Sequence, residues 1–194
     1  MPFGARASDD PTLRTTRLVL RPLAYADVPA LFEAIDSSRA YLAAWLPWEH
    51  DIRSPDDLRV FVDRTLRMNA DGEAHRALFE PDGRLAGHAS IESAVAAQRS
   101  AELGYWVRAD RAGRGYATEA VRALLEWGFR HLGLHRVAAF ADVANAASRR
   151  VLEKTGFREE GVVRHRTRHS DGWRDHVLYG LLEGELTAPR PTEA

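Results

Sequence analysis

The residues with the most chemistry in them lie between Ala101 and Val121: Ala-Glu-Leu-Gly-Tyr-Trp-Val, then Arg-Ala-Asp-Arg-Ala-Gly-Arg-Gly-Tyr-Ala, then Thr-Glu-Ala-Val. Gly113 and Gly115 admit backbone conformations closed to other residues and remove side-chain bulk from the loop. Arg111 and Arg114 add fixed positive charge. Ahead of the loop, Leu103, Tyr105 and Val107 alternate with Glu102, Gly104 and Trp106, the period of a strand. After it the apolar spacing changes to Ala117, Ala120, Val121, Leu124, Leu125, Gly128 and Leu132, a helical stripe. A tight loop entering a helix N-terminus offers unbonded N–H groups and a partial positive charge. The stretch reads as a phosphate-binding turn.

Two familiar phosphate loops do not fit. A P-loop needs Gly-x-x-x-x-Gly-Lys-Ser/Thr, and the only lysine is Lys154. A dinucleotide fingerprint needs a third glycine where this chain has Thr118, and the turn follows a hairpin instead of opening a βαβ unit.

The elements around the turn follow from pattern and punctuation. Leu18–Leu20 reads as a first strand stopped by Pro22, and Asp27 as the cap of a helix carrying Leu31, Phe32 and Ile35. Tyr41, Trp45, Pro47 and Trp48 crowd a short segment ending in Glu49-His50-Asp51. Ser54-Pro55-Asp56-Asp57 opens a helix with Leu58, Phe61, Val62 and Leu66 on one face. Strands over 74–80 and 84–92 flank the turn Pro81-Asp82-Gly83. Beyond the long helix, residues 136–141 read as a buried strand, Asn145 as a helix cap, and Gly156 as that helix's terminal glycine. Strands over 158–167 and 174–182 close the chain. This order predicts one α/β (α+β) domain over residues 12–186, with a mixed sheet and helices on both faces. A loose arm (1–11) and a polar tail (187–194) flank it.

Composition narrows the classes of function. The 194 residues suffice for one core. A net charge of −1 gives no electrostatic reason to expect DNA as a partner. With no cysteine, disulfides, thiolate-bound zinc and a thiol nucleophile are all excluded. No stretch approaches the roughly 18 apolar residues of a membrane span, and the first eleven residues lack a signal core, so no membrane partner and a cytoplasmic setting are expected. His131 and His135 straddle Gly133 at a helix end, a poor frame for a metal, and none is expected. Arg164, His165, Arg166, Arg168 and His169 form a basic cluster read as a solvated hairpin face, with contact to an acidic partner as the alternative.

Leu-Gly-Tyr-Trp-Val, Arg-Ala-Gly-Arg-Gly-Tyr-Ala-Thr-Glu-Ala, Asn145-Ala-Ala-Ser148 and Glu153-Lys-Thr-Gly-Phe157, in that order, resemble the GNAT superfamily of N-acetyltransferases. Within it the chain is most similar to the RimJ/RimL type, which acetylates the N-termini of ribosomal proteins. The resemblance covers about residues 15–183. It implies a mostly antiparallel sheet of about seven strands with a splayed central pair, and acetyl-CoA as co-substrate. The family loop is Gln/Arg-x-x-Gly-x-Gly/Ala, and Ala112 departs from its first position. By resemblance the coenzyme lies against Trp106, Val107, Arg111, Ala112, Gly113, Arg114, Gly115, Tyr116, Ala117 and Asn145.

Acetyl transfer needs an uncharged amine, a polarised carbonyl and a proton for the departing thiolate. An α-amino group near 8 or a lysine near 10.4 must first lose a proton. Glu102 is the candidate base by its family position, directly or through water. A backbone N–H near Trp106 or Val107 would polarise the carbonyl. Many relatives protonate the thiolate from a tyrosine where this chain has Leu152, so the role passes to Ser148, one turn earlier, as the branch resemblance implies. Tyr41, Trp45 and Trp48 read either as packing or as the wall of an acceptor pocket, with Glu49 and Asp51 beside them to hold a cationic amine. The expected activity is direct transfer to a primary amine, a protein N-terminus by branch resemblance. Small-molecule amines, other acyl donors such as succinyl-CoA, a non-catalytic acyl-CoA-binding module and a homodimer stay open.

Overall fold

The computed structural model describes residues 12–187. The predicted arm, and all of the predicted tail except Thr187, lie outside them. Eight strands form one sheet in the order β1-β2-β3-β4-β5-β6-β8-β7. They are β1 (Leu13–Arg14), β2 (Val19–Arg21), β3 (Ala74–Phe79), β4 (Leu85–Val95), β5 (Ser100–Val107), β6 (Arg136–Asp142), β7 (Arg158–His169) and β8 (Gly172–Leu182). The sequence predicts seven. The eighth is the two-residue β1, paired with β2 at Leu13 and Arg14 and too short to show a period.

Among the described residues five α-helices cover the sheet: α1 (Val28–Asp36), α2 (Arg39–Ala43), α3 (Pro55–Ala70), α4 (Tyr116–Trp127) and α5 (Ala146–Thr155). Strand alternation sorts the core into two clusters. Ile91, Leu103, Ala139, Ala141, Val177 and Tyr179 point to the face where Val121, Leu124 and Leu152 of α4 and α5 pack. Ala77, Phe79 and Leu85 point to the other face, under Leu31, Ile35, Leu58 and Val62 of α1 and α3. Leu152 is fully buried in the first cluster. Its apolar side chain serves packing there.

All pairings are antiparallel except β5–β6. That parallel pair runs only from Ser100↔Arg136 to Leu103↔Ala139. Beyond Leu103, β5 stays with β4 as far as Gly87↔Val107, while β6 stays with β8 as far as Asp142↔His176. The sheet therefore parts at its centre, leaving residues 104–107 open on one edge. Gly87 fixes how β4 carries that open edge. A Cβ there would stand 2.2 Å from the Trp106 carbonyl oxygen and 2.9 Å from the Val107 Cα. Gly87→Ala should push this half of β5 aside at a cost of about 1–3 kcal/mol, read as a lower midpoint in chemical denaturation.

Candidate functional site

The parting of β5 and β6 opens into a cavity of about 400 Å³. Leu103 to Val107 form one wall and Phe140, Ala141 and Asp142 the other. At one end lie Tyr116, Ala117 and Thr118 of α4 with Asn145, Ser148 and Val151 of the α5 region; at the other, Tyr41, Leu42, Trp45 and Leu46 of the α2 segment. The cavity joins both faces of the sheet through the split.

The glycine loop is held by carboxylates from distant elements. Arg108, 3% exposed, is gripped by Glu33 of α1 and by Asp110. The Ala109 N–H donates to Ser38 Oγ at 3.0 Å. Glu80, just past β3, takes Arg111 at 2.8 Å and the Tyr116 hydroxyl at 2.8 Å. Hydrogen bonding from Arg111 holds the Glu80 carboxyl below the ordinary carboxylate range, against the opposing pull of burial. Gly113 and Gly115 both take positive φ, +74° and +81°, conformations strained for any side chain. Helix α4 starts at once: the Glu119 N–H donates to Gly115 C=O at 3.0 Å. The N–H groups of Tyr116, Ala117 and Thr118 precede that first intrahelical bond, and all three residues line the cavity.

Of the expected loop residues, Arg111, Ala112, Gly113, Gly115, Tyr116 and Ala117 line the cavity, as do Trp106, Val107 and Asn145. The Arg114 side chain is not among the lining residues. Its carbonyl accepts from Arg17 Nη1 at 2.8 Å, and Arg17 pairs with Glu119 at 2.7 Å. Arg111 spends its charge on Glu80 and Asp110.

On the α5 side, Asn145 caps the helix by accepting the Ser148 N–H at 3.0 Å. The Tyr105 hydroxyl stands 2.8 Å from Ser148 Oγ and donates to the Ser148 carbonyl at 3.1 Å. Burial raises the Tyr105 pKa, so the phenol keeps its proton. The strand period places Tyr105 beside Leu103 on this face, yet nothing in the sequence says that it meets Ser148.

On the α2 side, Tyr41 and Trp45 line the cavity, whereas Trp48 and Glu49 brace the wall behind it. The Trp48 ring lies 6.3 Å from that of Trp106. Glu49, 8% exposed, holds Arg39 at 3.1 Å. Asp51 is exposed and beside His50. Glu102 shares this face with Gly104 and Trp106. Its carboxylate is outside the cavity lining and 3.6 Å from Arg166, which lies over the Phe140 ring at 4.4 Å. The basic cluster is otherwise exposed along β7, except for buried His169.

Arg150, Lys154, Asp142 and His176 also line the cavity, and the sequence alone assigns them no role. Arg150 and Lys154 bring two cations from α5; with Ala147 and Val151 they follow an i, i+3, i+4, i+7 spacing that marks one helix face. Asp142 and His176 face each other across β6 and β8. They are distant in sequence, and no local pattern joins them. Among the described residues no group of three or more His, Cys, Asp or Glu is placed to hold a metal. No helix there is long and apolar enough to cross a membrane.

Similarity to known proteins agrees with this geometry. The family model for the Acetyltransferase (GNAT) domain matches residues 17–158. The protein YdaF of Bacillus subtilis (strain 168), whose name places it with ribosomal N-acetyltransferases, is 34% identical over 169 residues, 87% of this chain and 92% of its own. The ribosomal-protein-serine acetyltransferase of Escherichia coli (strain K12) is 26% identical over 165 residues, 85% of this chain and 92% of its own. Among solved structures, Mycobacterium smegmatis RimJ in complex with CoA-disulfide superposes with a TM-score of 0.80 at 30% identity, covering 88% of this chain and 84% of that one. A split sheet, a glycine loop opening α4, and a family match across most of the chain together make this protein a member of the GNAT acetyltransferase family.

Proposed function

We propose that the protein is an acetyl-CoA-dependent N-acetyltransferase whose acceptor is the α-amine of a protein N-terminus. The observation that carries this reading is the cavity passing through the sheet, with a phosphate-type loop at one end and an aromatic wall at the other. The donor end suits coenzyme A. The glycine loop and the α4 N-terminus present N–H groups to a pyrophosphate, and Arg150 and Lys154 add cations. The open edge of residues 104–107 suits an extended pantetheine arm. Acetyl-CoA, when bound, would supply the acetyl group as an activated thioester.

The chain's own groups do the rest. A backbone N–H at Trp106 or Val107 polarises the carbonyl, the role of an oxyanion hole. The Ser148–Tyr105 hydroxyl pair donates the proton that the thiolate needs. Without cysteine the acetyl group has no thiol to rest on, so the amine attacks the donor directly. The amine arrives along Tyr41 and Trp45, and its proton leaves on that face, where Glu102 at the rim receives it through water. A protein acceptor is favoured by the relatives named for ribosomal proteins, which also favours the cytoplasm as the setting.

Thiol release from acetyl-CoA is expected with N-terminal peptides above small amines such as polyamines, and above succinyl-CoA as donor. Tight coenzyme binding with no amine-stimulated release would overturn the enzymatic reading in favour of a binding module. Lys154→Ala should raise the acetyl-CoA KM by about tenfold. It should leave the KM of acetyl-pantetheine, which lacks the phosphates, unchanged. Glu102→Gln should lower kcat/KM at neutral pH by about tenfold without weakening coenzyme affinity, and an unchanged pH–rate profile would remove Glu102 from proton transfer.

A further inference from the structure

Among the residues lining the cavity, His176 alone has an ordinary pKa near neutrality. Both of its ring nitrogens are buried, and neither has a hydrogen-bond partner among the described residues. A buried imidazole in a packed core is normally bonded through at least one nitrogen. His176 instead lines the cavity. Across the β6–β8 register lies Asp142, 5% exposed. Asp142 Oδ1 accepts the Ala144 N–H at 2.8 Å. Its Oδ2 has no hydrogen-bond partner, and Arg174 Nη1 stands 3.6 Å away.

Strand alternation fixes the side of approach. His176, Asp142 and Phe140 share the face of Glu102 and Gly104, the one lined by the α2 segment, opposite to Ser148 and Tyr105. An incoming amine would meet the imidazole before it reached the hydroxyl pair. We propose that His176 takes the proton of the incoming ammonium, that Asp142 stabilises the resulting imidazolium, and that Glu102 lies later on the proton's way out. This rests on the N-acetyltransferase reading above and names the base within it.

The charges facing the ring agree. Burial is the largest influence and lowers the His176 pKa; Arg166 and His169 on β7 and Arg174 on β8 lower it further, while Asp142 on β6 raises it. The ring is therefore neutral at pH 7, with a lone pair available, and one carboxylate is placed to compensate the charge it gains. The step balances. The ammonium gives one proton to an imidazole nitrogen, and the freed nitrogen pair forms the C–N bond as the C–S bond breaks. The thiolate takes a proton from the Ser148–Tyr105 pair, which the second amine proton restores. The imidazolium proton passes to solvent by way of Glu102.

The test combines kinetics with a measurement on the free protein. His176→Gln should lower kcat/KM for an N-terminal peptide by about a hundredfold or more at pH 7, a greater loss than Glu102→Gln, and flatten the ascending limb of the pH profile. Acetyl-CoA affinity should stay within about twofold of wild type. In wild-type free protein, imidazole NMR should show His176 titrating below its ordinary value, and lower still in Asp142→Asn. Retained activity and pH profile in His176→Gln, or a His176 titration indifferent to Asp142→Asn, would overturn the assignment while leaving the transferase reading intact. A wild-type protein that acetylates no amine would overturn both.

Discussion

The structure turns on where two parallel strands stop pairing. Parallel ladders hold for Ser100 to Leu103 against Arg136 to Ala139 and then end, because β5 follows β4 and β6 follows β8. Each strand keeps one neighbour, so most backbone bonding survives, and the unpaired groups lie where a ligand can use them. A strand edge is usually an aggregation hazard. Here it is enclosed between α4 and α5 on one face and α2 on the other, and lines the cavity.

The surrounding ion pairs hold the loop beside this opening. Glu33, Glu80 and Asp110 neutralise Arg108 and Arg111, so the loop's arginines fix its shape and its first helical N–H groups are left for a ligand in the proposed reading. The division explains how Ala112 can occupy the family's Gln/Arg position: the side chain at that place is not what holds the loop. On α2 the same division recurs. Trp48 and Glu49 support the segment, and Tyr41 and Trp45 face the cavity.

Local signals made the loop half of the cavity legible. Glycine spacing, a change of period from strand to helix, and the Asn145 cap each act over a few residues, and the structure reproduces the elements they imply. The rest of the cavity was less legible because its parts meet only through the sheet. Helix α2 has five residues, too few to display a period, and β1 has two. The Tyr105–Ser148 contact joins a strand to a helix across the split, and Asp142 meets His176 only through the β6–β8 register. Glu102 shows the limit of position alone: its period places it with Gly104 and Trp106, but its carboxylate turns toward Arg166 on β7, a strand far away in sequence.

The central claim is that donor and acceptor enter one cavity from opposite faces of the sheet. A conjugate of coenzyme A joined through its sulfur to an N-terminal peptide tests it most directly, read by hydrogen–deuterium exchange. The account predicts protection at the 113–118 loop and, in the same complex, over the 41–46 segment, with tighter binding than coenzyme A alone. Protection confined to the loop side, or affinity unchanged by the peptide, would contradict it.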